Sequence, residues 1–264
     1  MSFGQSTSEN QLSKLGLKGN VRLINEKVKK TIINEDGTLK KTIDSETITE
    51  FDFKGNFVQL SAFRNGKLIS YINYDYNEND CPIRATDYNA DGSIYLVINY
   101  IYGDDGFIKE QIYDRSAQKT YDSNRESIDI EYFTYYQGLF TKVVFENDFM
   151  GRVQVKSFYT DKGDFSYKYT YEYDYLGNCT VLKYYNSAGS VSWQSKYQYD
   201  RNGRVKVKKL FKNNYLAQTT KYIYEIDDSE NWINRTETSK VVKNIFGQLL
   251  NDEIIETTRI ISYF

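Results

Sequence analysis

The sequence predicts an all-β protein: an antiparallel β-hairpin repeat of period 26 that builds one long curved or spiralling β-meander sheet. Three observations lead there. Gly151, Gly163, Gly177, Gly189 and Gly203 fall at spacings of 12, 14, 12 and 14 residues, two unequal hairpins per repeat. A fixed period in this range marks a repeat architecture whose units bury their surface against one another. The segments between the glycines alternate with period two, and the connections are too short for a parallel crossover.

The turns come in two kinds. The first reads Tyr173-Asp174-Tyr175-Leu176-Gly177-Asn178 and again Tyr199-Asp200-Arg201-Asn202-Gly203-Arg204. Earlier copies stand at Phe51-Asp52-Phe53-Lys54-Gly55-Asn56 and Tyr102-Gly103-Asp104-Asp105-Gly106, and Asn147-Asp148-Phe149-Met150-Gly151-Arg152 keeps the acid and the glycine without the ring. The second kind reads Tyr88-Asn89-Ala90-Asp91-Gly92, Tyr159-Thr160-Asp161-Lys162-Gly163 and Tyr185-Asn186-Ser187-Ala188-Gly189. Asn and Asp beside Gly suit the positive φ of tight hairpin turns. Degenerate copies are visible at Asn213-Asn214 and around Glu230-Asn231-Trp232, and between Gly106 and Gly138 the rhythm is hardest to follow.

Between turns the strands are plain. Tyr167, Tyr169, Tyr171 and Tyr173 alternate with Lys168, Thr170, Glu172 and Asp174, the pattern of a half-buried strand. Val205 and Val207 alternate in the same way with Arg204, Lys206 and Lys208. Roughly sixteen such strands at ~4.8 Å would make a flat sheet about 80 Å wide, and twisted open sheets rarely pass about ten strands without curling or splitting. Hence the expected curvature. Residues 1–20 are set apart as an N-terminal segment with a short helix near Ser8 to Leu15, and 21–264 as a single domain. With 26 Tyr and 15 Phe the chain has rings enough for a core, and Tyr can bury its ring while its hydroxyl stays at a wet edge.

The in-phase Tyr-Asp pairs (Tyr173-Asp174, Tyr199-Asp200), with Gly203-Arg204-Val205 after one of them, resemble the YD repeat of the Rhs family. Looser pairs stand at Tyr74-Asp75, Tyr113-Asp114 and Tyr121-Asp122, and the resemblance covers Phe51 to about Arg235. It implies a β-spiral shell or a surface-exposed stalk, with carbohydrate binding proposed for such repeats. The chain is far shorter than the large members. With Pro82 its single proline, it shows neither their proline-bearing core motif nor a toxin segment after Phe246-Gly247, so toxin delivery does not carry over.

Composition narrows the chemistry. With no histidine there is no Ser-His-Asp or Cys-His nucleophile and no HExxH zinc helix. Two cysteines, Cys81 and Cys179, stand 98 residues apart at the same phase of the repeat; they cannot make a four-ligand zinc site and are read as free or packed thiols. No metal, cofactor or catalytic residue is assigned. Carboxylates remain, but Asp91, Asp104, Asp105, Asp161, Asp174 and Asp200 sit at turns, where Asp caps its own backbone. Asn89-Ala90-Asp91-Gly92 and Gly103-Asp104-Asp105-Gly106 lack the ligand spacing of a calcium loop and are read as hairpin turns.

Candidate ligand-binding residues are Trp193, Tyr197, Tyr199, Arg204, Lys206, Lys208 and Trp232. Aromatic rings on a curved sheet offer platforms for sugar rings, and Trp193 and Trp232 break the repeat phase. Arg204, Lys206 and Lys208 are read as one basic face beside those rings, with a solvated strand face carrying lysine as the favoured account of them. A net charge of −2 gives no pull toward nucleic acid or membrane, and no apolar run is long enough for a transmembrane helix. The polar start after Met1-Ser2-Phe3 is similar to the tail of a bacterial signal peptide; a frayed terminus explains it too. The resulting expectation is a non-enzymatic binding or scaffold protein, periplasmic, cell-surface or secreted, contacting a glycan or protein partner through an aromatic sheet face. Two alternatives stay open: a carboxylate-based glycan-active enzyme, and an immunity- or chaperone-like accessory of a larger Rhs system.

Overall fold

A computed structural model describes residues 12, 15–33, 38–114, 140–241 and 252–264. The chain forms β1 (Val21–Ile33), β2 (Leu39–Phe51), β3 (Phe57–Arg64), β4 (Lys67–Tyr76), β5 (Pro82–Asn89), β6 (Ile94–Tyr102), β7 (Ile108–Asp114) and β8 (Phe140–Asn147). It continues with β9 (Val153–Thr160), β10 (Phe165–Tyr173), β11 (Cys179–Tyr185), β12 (Val191–Tyr199), β13 (Val205–Lys212), β14 (Tyr215–Ile226), β15 (Trp232–Val241) and β16 (Asp252–Tyr263). Each strand pairs antiparallel with its sequence neighbours, as the hairpin repeat predicts. The spiral does not form. β1 pairs with β16 from Val21↔Tyr263 to Ile33↔Asp252, and the sheet closes into a sixteen-stranded barrel. Closure satisfies both edge strands at once, which an open meander of this width leaves exposed. Of the expected N-terminal helix only Leu12 and Leu15 are described, Leu12 in helical conformation.

The two kinds of turn are the two rims of the barrel. The first kind joins β2–β3, β4–β5, β6–β7, β8–β9, β10–β11, β12–β13 and β14–β15. Gly177 shows its geometry: its N–H donates to the Asp174 carbonyl at 3.1 Å, Asp174 N–H donates to Asn178 O at 2.9 Å, and the glycine takes φ +89°. This is a type I turn closed by a left-handed residue. The Asp174 carboxylate accepts from Leu176 N–H and Asn178 N–H, each at 2.9 Å, and from the Asn178 amide at 3.0 Å. Asp148 and Asp200 do the same with Arg152 and Arg204. On the other rim are Asn89–Gly92, Thr160–Gly163 and Asn186–Gly189, closed by the same backbone pattern, and the two-residue turns Asn65-Gly66 and Asn213-Asn214 with positive φ at both positions. The connections 34–37, 115–139 and 242–251, with most of the stretch where the rhythm fails, lie outside the described residues.

The tyrosines near the ends of these strands on the first rim have their own task. Tyr173 donates its hydroxyl to Val153 O at 2.7 Å, Tyr199 to Cys179 O at 2.6 Å, Tyr102 to Pro82 O at 2.8 Å and Tyr224 to Val205 O at 2.9 Å. Each bond ties the end of an even-numbered strand to the start of the strand before it, on the first rim, where the regular ladder has been broken by a bulge. A Tyr199→Phe variant is expected to lose about 1 kcal/mol of stability, because the buried carbonyl of Cys179 loses its donor. A urea midpoint unchanged from wild type would remove the strap from the account of this rim. Both cysteines on this rim are free, and burial pushes the Cys179 thiol up to about 11.

Pairing carries one set of side chains around the ring on a single face. Ile24, Thr49, Leu60, Ile72, Asp87 and Leu96 are successive partners across six strands. Val143, Phe158 and Tyr167 follow, then Tyr169, Tyr184 and Trp193. This face holds most of the buried residues and is the inner wall. The outer face carries Lys27, Asp44, Lys168, Lys183, Lys196, Lys209 and Lys221 in mid-strand. A lipid-facing barrel needs an apolar outer band, and lysine at mid-depth costs about 2–4 kcal/mol there. The outer wall is built to face water.

The seam is sealed at the first rim by the N-terminal segment. Leu12, Leu15 and Leu17 pack on Val21, Ile24, Phe51, Phe57 and Ile261. Lys18 N–H donates to Asn231 Oδ1 at 2.8 Å, the Asn231 amide returns a bond to Lys18 O at 2.9 Å, and Phe264 N–H reaches Asn20 O. Lys18 also pairs with Glu230.

Candidate functional site

The inner wall divides into two chemistries. From β14 round to β2 it is charged, and the charges cancel in pairs: Arg235 with Glu237 at 2.9 Å, Arg259 with Glu26 at 2.7 Å, Lys30 with Glu253 at 3.1 Å. The Trp232 ring lies between two of these cations, 3.2 Å from Arg259 and 4.8 Å from Arg235. A cation held over an indole face is stabilised by the ring quadrupole, so this tryptophan helps fix the arginines. On the outer face of the same strands a groove of about 550 Å³ crosses β14 to β2, lined by charges of both signs, among them Lys27, Lys29, Asp44, Glu46, Glu225 and Glu256.

From β8 to β12 the inner wall is aromatic. Phe158 stacks on Tyr167 with centroids 4.2 Å apart, and Tyr169 meets Tyr184 at 5.4 Å. Tyr184 stacks on Trp193 at 5.6 Å with the planes only 10° apart. Lys156 sits at the end of this row, directly opposite both Phe145 and Tyr169 in the ladder. Its Nζ is 5.5 Å from the Phe145 ring and 5.2 Å from the Phe158 ring. Among the described residues no carboxylate pairs with it. Burial pushes its pKa down to about 8, since removing an ammonium from water disfavours the charged form.

The residues singled out from the sequence scatter across this map. Trp193 is in the aromatic row. Tyr197 faces inward with Lys208 Nζ 5.8 Å above its ring. Tyr199 is a rim strap. Arg204 is folded back on Asp200 at 2.8 Å with its guanidinium 5.9 Å from Tyr224, and Lys206 is exposed. Arg204, Lys206 and Lys208 therefore do not form one basic face: the bulge at the start of β13 and the pull of Asp200 take Arg204 into the turn. Trp232 belongs to the charged half. Asp91 and Asp174 titrate below the ordinary carboxylate range because Ser93 and Asn178 donate to them, as expected of turn caps. Among the described residues no cluster of three His, Cys, Asp or Glu can hold a metal ion.

Lys156 was not legible as a site residue. In Val153-Gln154-Val155-Lys156-Ser157-Phe158 the two valines suggest the inner face, yet Val155 points out and Lys156 points in. The one signal in the sequence is that Lys156 shares its parity with Phe158.

No family model matches the chain, and no curated protein matches it. In structure it is similar to a porin-like protein from Bacteroides uniformis, with a TM-score of 0.55 and 11% identity over 93% of this chain and 98% of that one. A porin-like protein from Bacteroides vulgatus gives a TM-score of 0.41 and 13% identity over 89% and 97%. The Photorhabdus luminescens Tc holotoxin pore gives 0.32 and 12% over 79% of this chain and 14% of that one. Of these three, the first alone is similar enough to bear on the fold, and at that identity it bears on nothing else.

Proposed function

We propose that this protein is a non-enzymatic binding protein of the bacterial cell envelope that takes a glycan into the barrel. The observation that supports it is the inward row Tyr169, Tyr184 and Trp193. Flat rings carrying hydroxyl or N–H groups suit the apolar faces and polar rims of sugars. Sixteen strands also give a barrel wide enough for a lumen, where eight are filled by their own side chains. Because the aromatic face turns inward, a folded protein partner has no access to it, and the glycan branch of the sequence reading is the one retained. Against an enzyme, the acids of the charged half of the inner wall, Glu26, Glu237 and Glu253, are each ion-paired. The charged outer wall supports a position beside the membrane over one within it, and the porin-like fold fits an envelope setting.

Trp193 and Trp232 are the only tryptophans. A Trp232→Phe variant therefore leaves Trp193 as the single indole reporter. Titration with cell-wall and surface oligosaccharides is expected to give a saturable change in its emission, lost when Tyr184 is replaced by Ala. Flat emission across both neutral and acidic oligosaccharides would reject the reading.

A further inference from the structure

We propose that the glycan is acidic, and that Lys156 is the residue that reads its carboxylate. This rests on the lumen-glycan reading and adds the chemical class of the ligand. The inner charges of β14 to β2 are cancelled in pairs, so they offer a ligand no net charge. Lys156 differs. Among the described residues its ammonium has ring faces as partners, Phe145 and Phe158, and no acid. It is half-buried, and its register places it on the inner face.

Position decides the ligand class. Tyr169 lies directly across the ladder from Lys156, and directly opposed side chains stand about 5 Å apart. A pyranose lying on Tyr169 therefore brings a carboxylate on its ring within reach of the ammonium. Further sugar units would lie along Tyr184 and Trp193, which follow Tyr169 across the next two strands. A charge-assisted hydrogen bond in a ring-lined, partly dry setting is stronger than one in water.

The test is calorimetric titration of the full chain with a trigalacturonate and with a neutral trisaccharide of the same length. Wild type is expected to bind the acidic trimer roughly tenfold or more tighter than the neutral one. Lys156→Gln should abolish that preference, bringing the acidic trimer down to the affinity of the neutral one, and Lys156→Arg should retain it. Tyr184→Ala should weaken both ligands. Equal affinity for the two trimers in wild type, or a preference that survives Lys156→Gln, overturns the acidic assignment and leaves the glycan reading standing. Dodecanoate binding tighter than trigalacturonate through Lys156 overturns the saccharide class. Absence of binding by either trimer overturns both readings.

Discussion

A Lys156→Met variant is expected to be more stable than wild type at pH 7, by about 1–3 kcal/mol, while losing the acidic ligand. The range converts a pKa held near 8 in the fold against 10.5 in the unfolded chain, discounted because the residue is only half-buried. Methionine nearly matches the lysine stem in volume and needs no hydration. The sign follows from proton binding. Between pH 8 and 10.5 the unfolded chain holds a proton on Lys156 that the folded chain has lost, so wild-type stability rises with pH across that window. Below pH 8 both states are protonated and the full penalty applies. The groups facing the amine are Phe145 on β8, Phe158 on its own strand and Tyr169 on β10, none of them an acid. Urea midpoints of the two proteins should thus differ most at pH 7 and converge as pH approaches 10.5. A wild type equal to or more stable than the variant at pH 7, or a gap that ignores pH, would show that the amine is not desolvated. Stability given up at one lysine is what a binding residue held ready for an anion looks like.

The sequence carries its local geometry openly and its closure not at all. Strand-and-turn alternation is written into residues such as Tyr167 to Tyr173 and Asp174 to Gly177, because pleat and left-handed φ act within a few residues of the chain. The number of strands and their antiparallel order follow from those signals. Which rim each turn occupies was also present, as the unequal 12 and 14 spacings. The meeting of β1 with β16 was invisible: Val21 and Tyr263 pair across nearly the whole chain, and the 12–14 glycine rhythm does not mark the seam. What holds it, Lys18 against Asn231 and the leucines on Val21 and Ile24, looks like an ordinary terminus until the ends are brought together. The site was half legible. Rings that keep one parity were expected on one face and are there. Lys156 was hidden because β9 places Val155 outward, and only cross-strand register decides such a face.

Gly151→Ala is expected to be the most damaging single-methyl change in the barrel rim, costing about 2–5 kcal/mol. Two terms add. Gly151 has φ +79°, a conformation that disfavours any Cβ by about 1–2 kcal/mol. The ring of Phe107, from the β6–β7 turn, lies across the glycine, and a Cβ built there would stand 2.1 Å from its Cε1 and 2.6 Å from its Cδ1. The ring or the backbone must move, and overpacking of this kind costs about 1–3 kcal/mol. Gly177→Ala supplies the control. Its φ is +89°, but no atom lies within 4 Å of the added Cβ, so it should lose only the conformational term. The difference between the two variants isolates the packing of neighbouring turns on the first rim. Placing Gly151→Ala in a Phe107→Ala background should bring its cost down to that of Gly177→Ala, a coupling read directly from a double-mutant cycle. If the two glycine variants unfold at the same urea concentration, Phe107 moves aside freely, and the first rim is a row of independent hairpins rather than a packed collar.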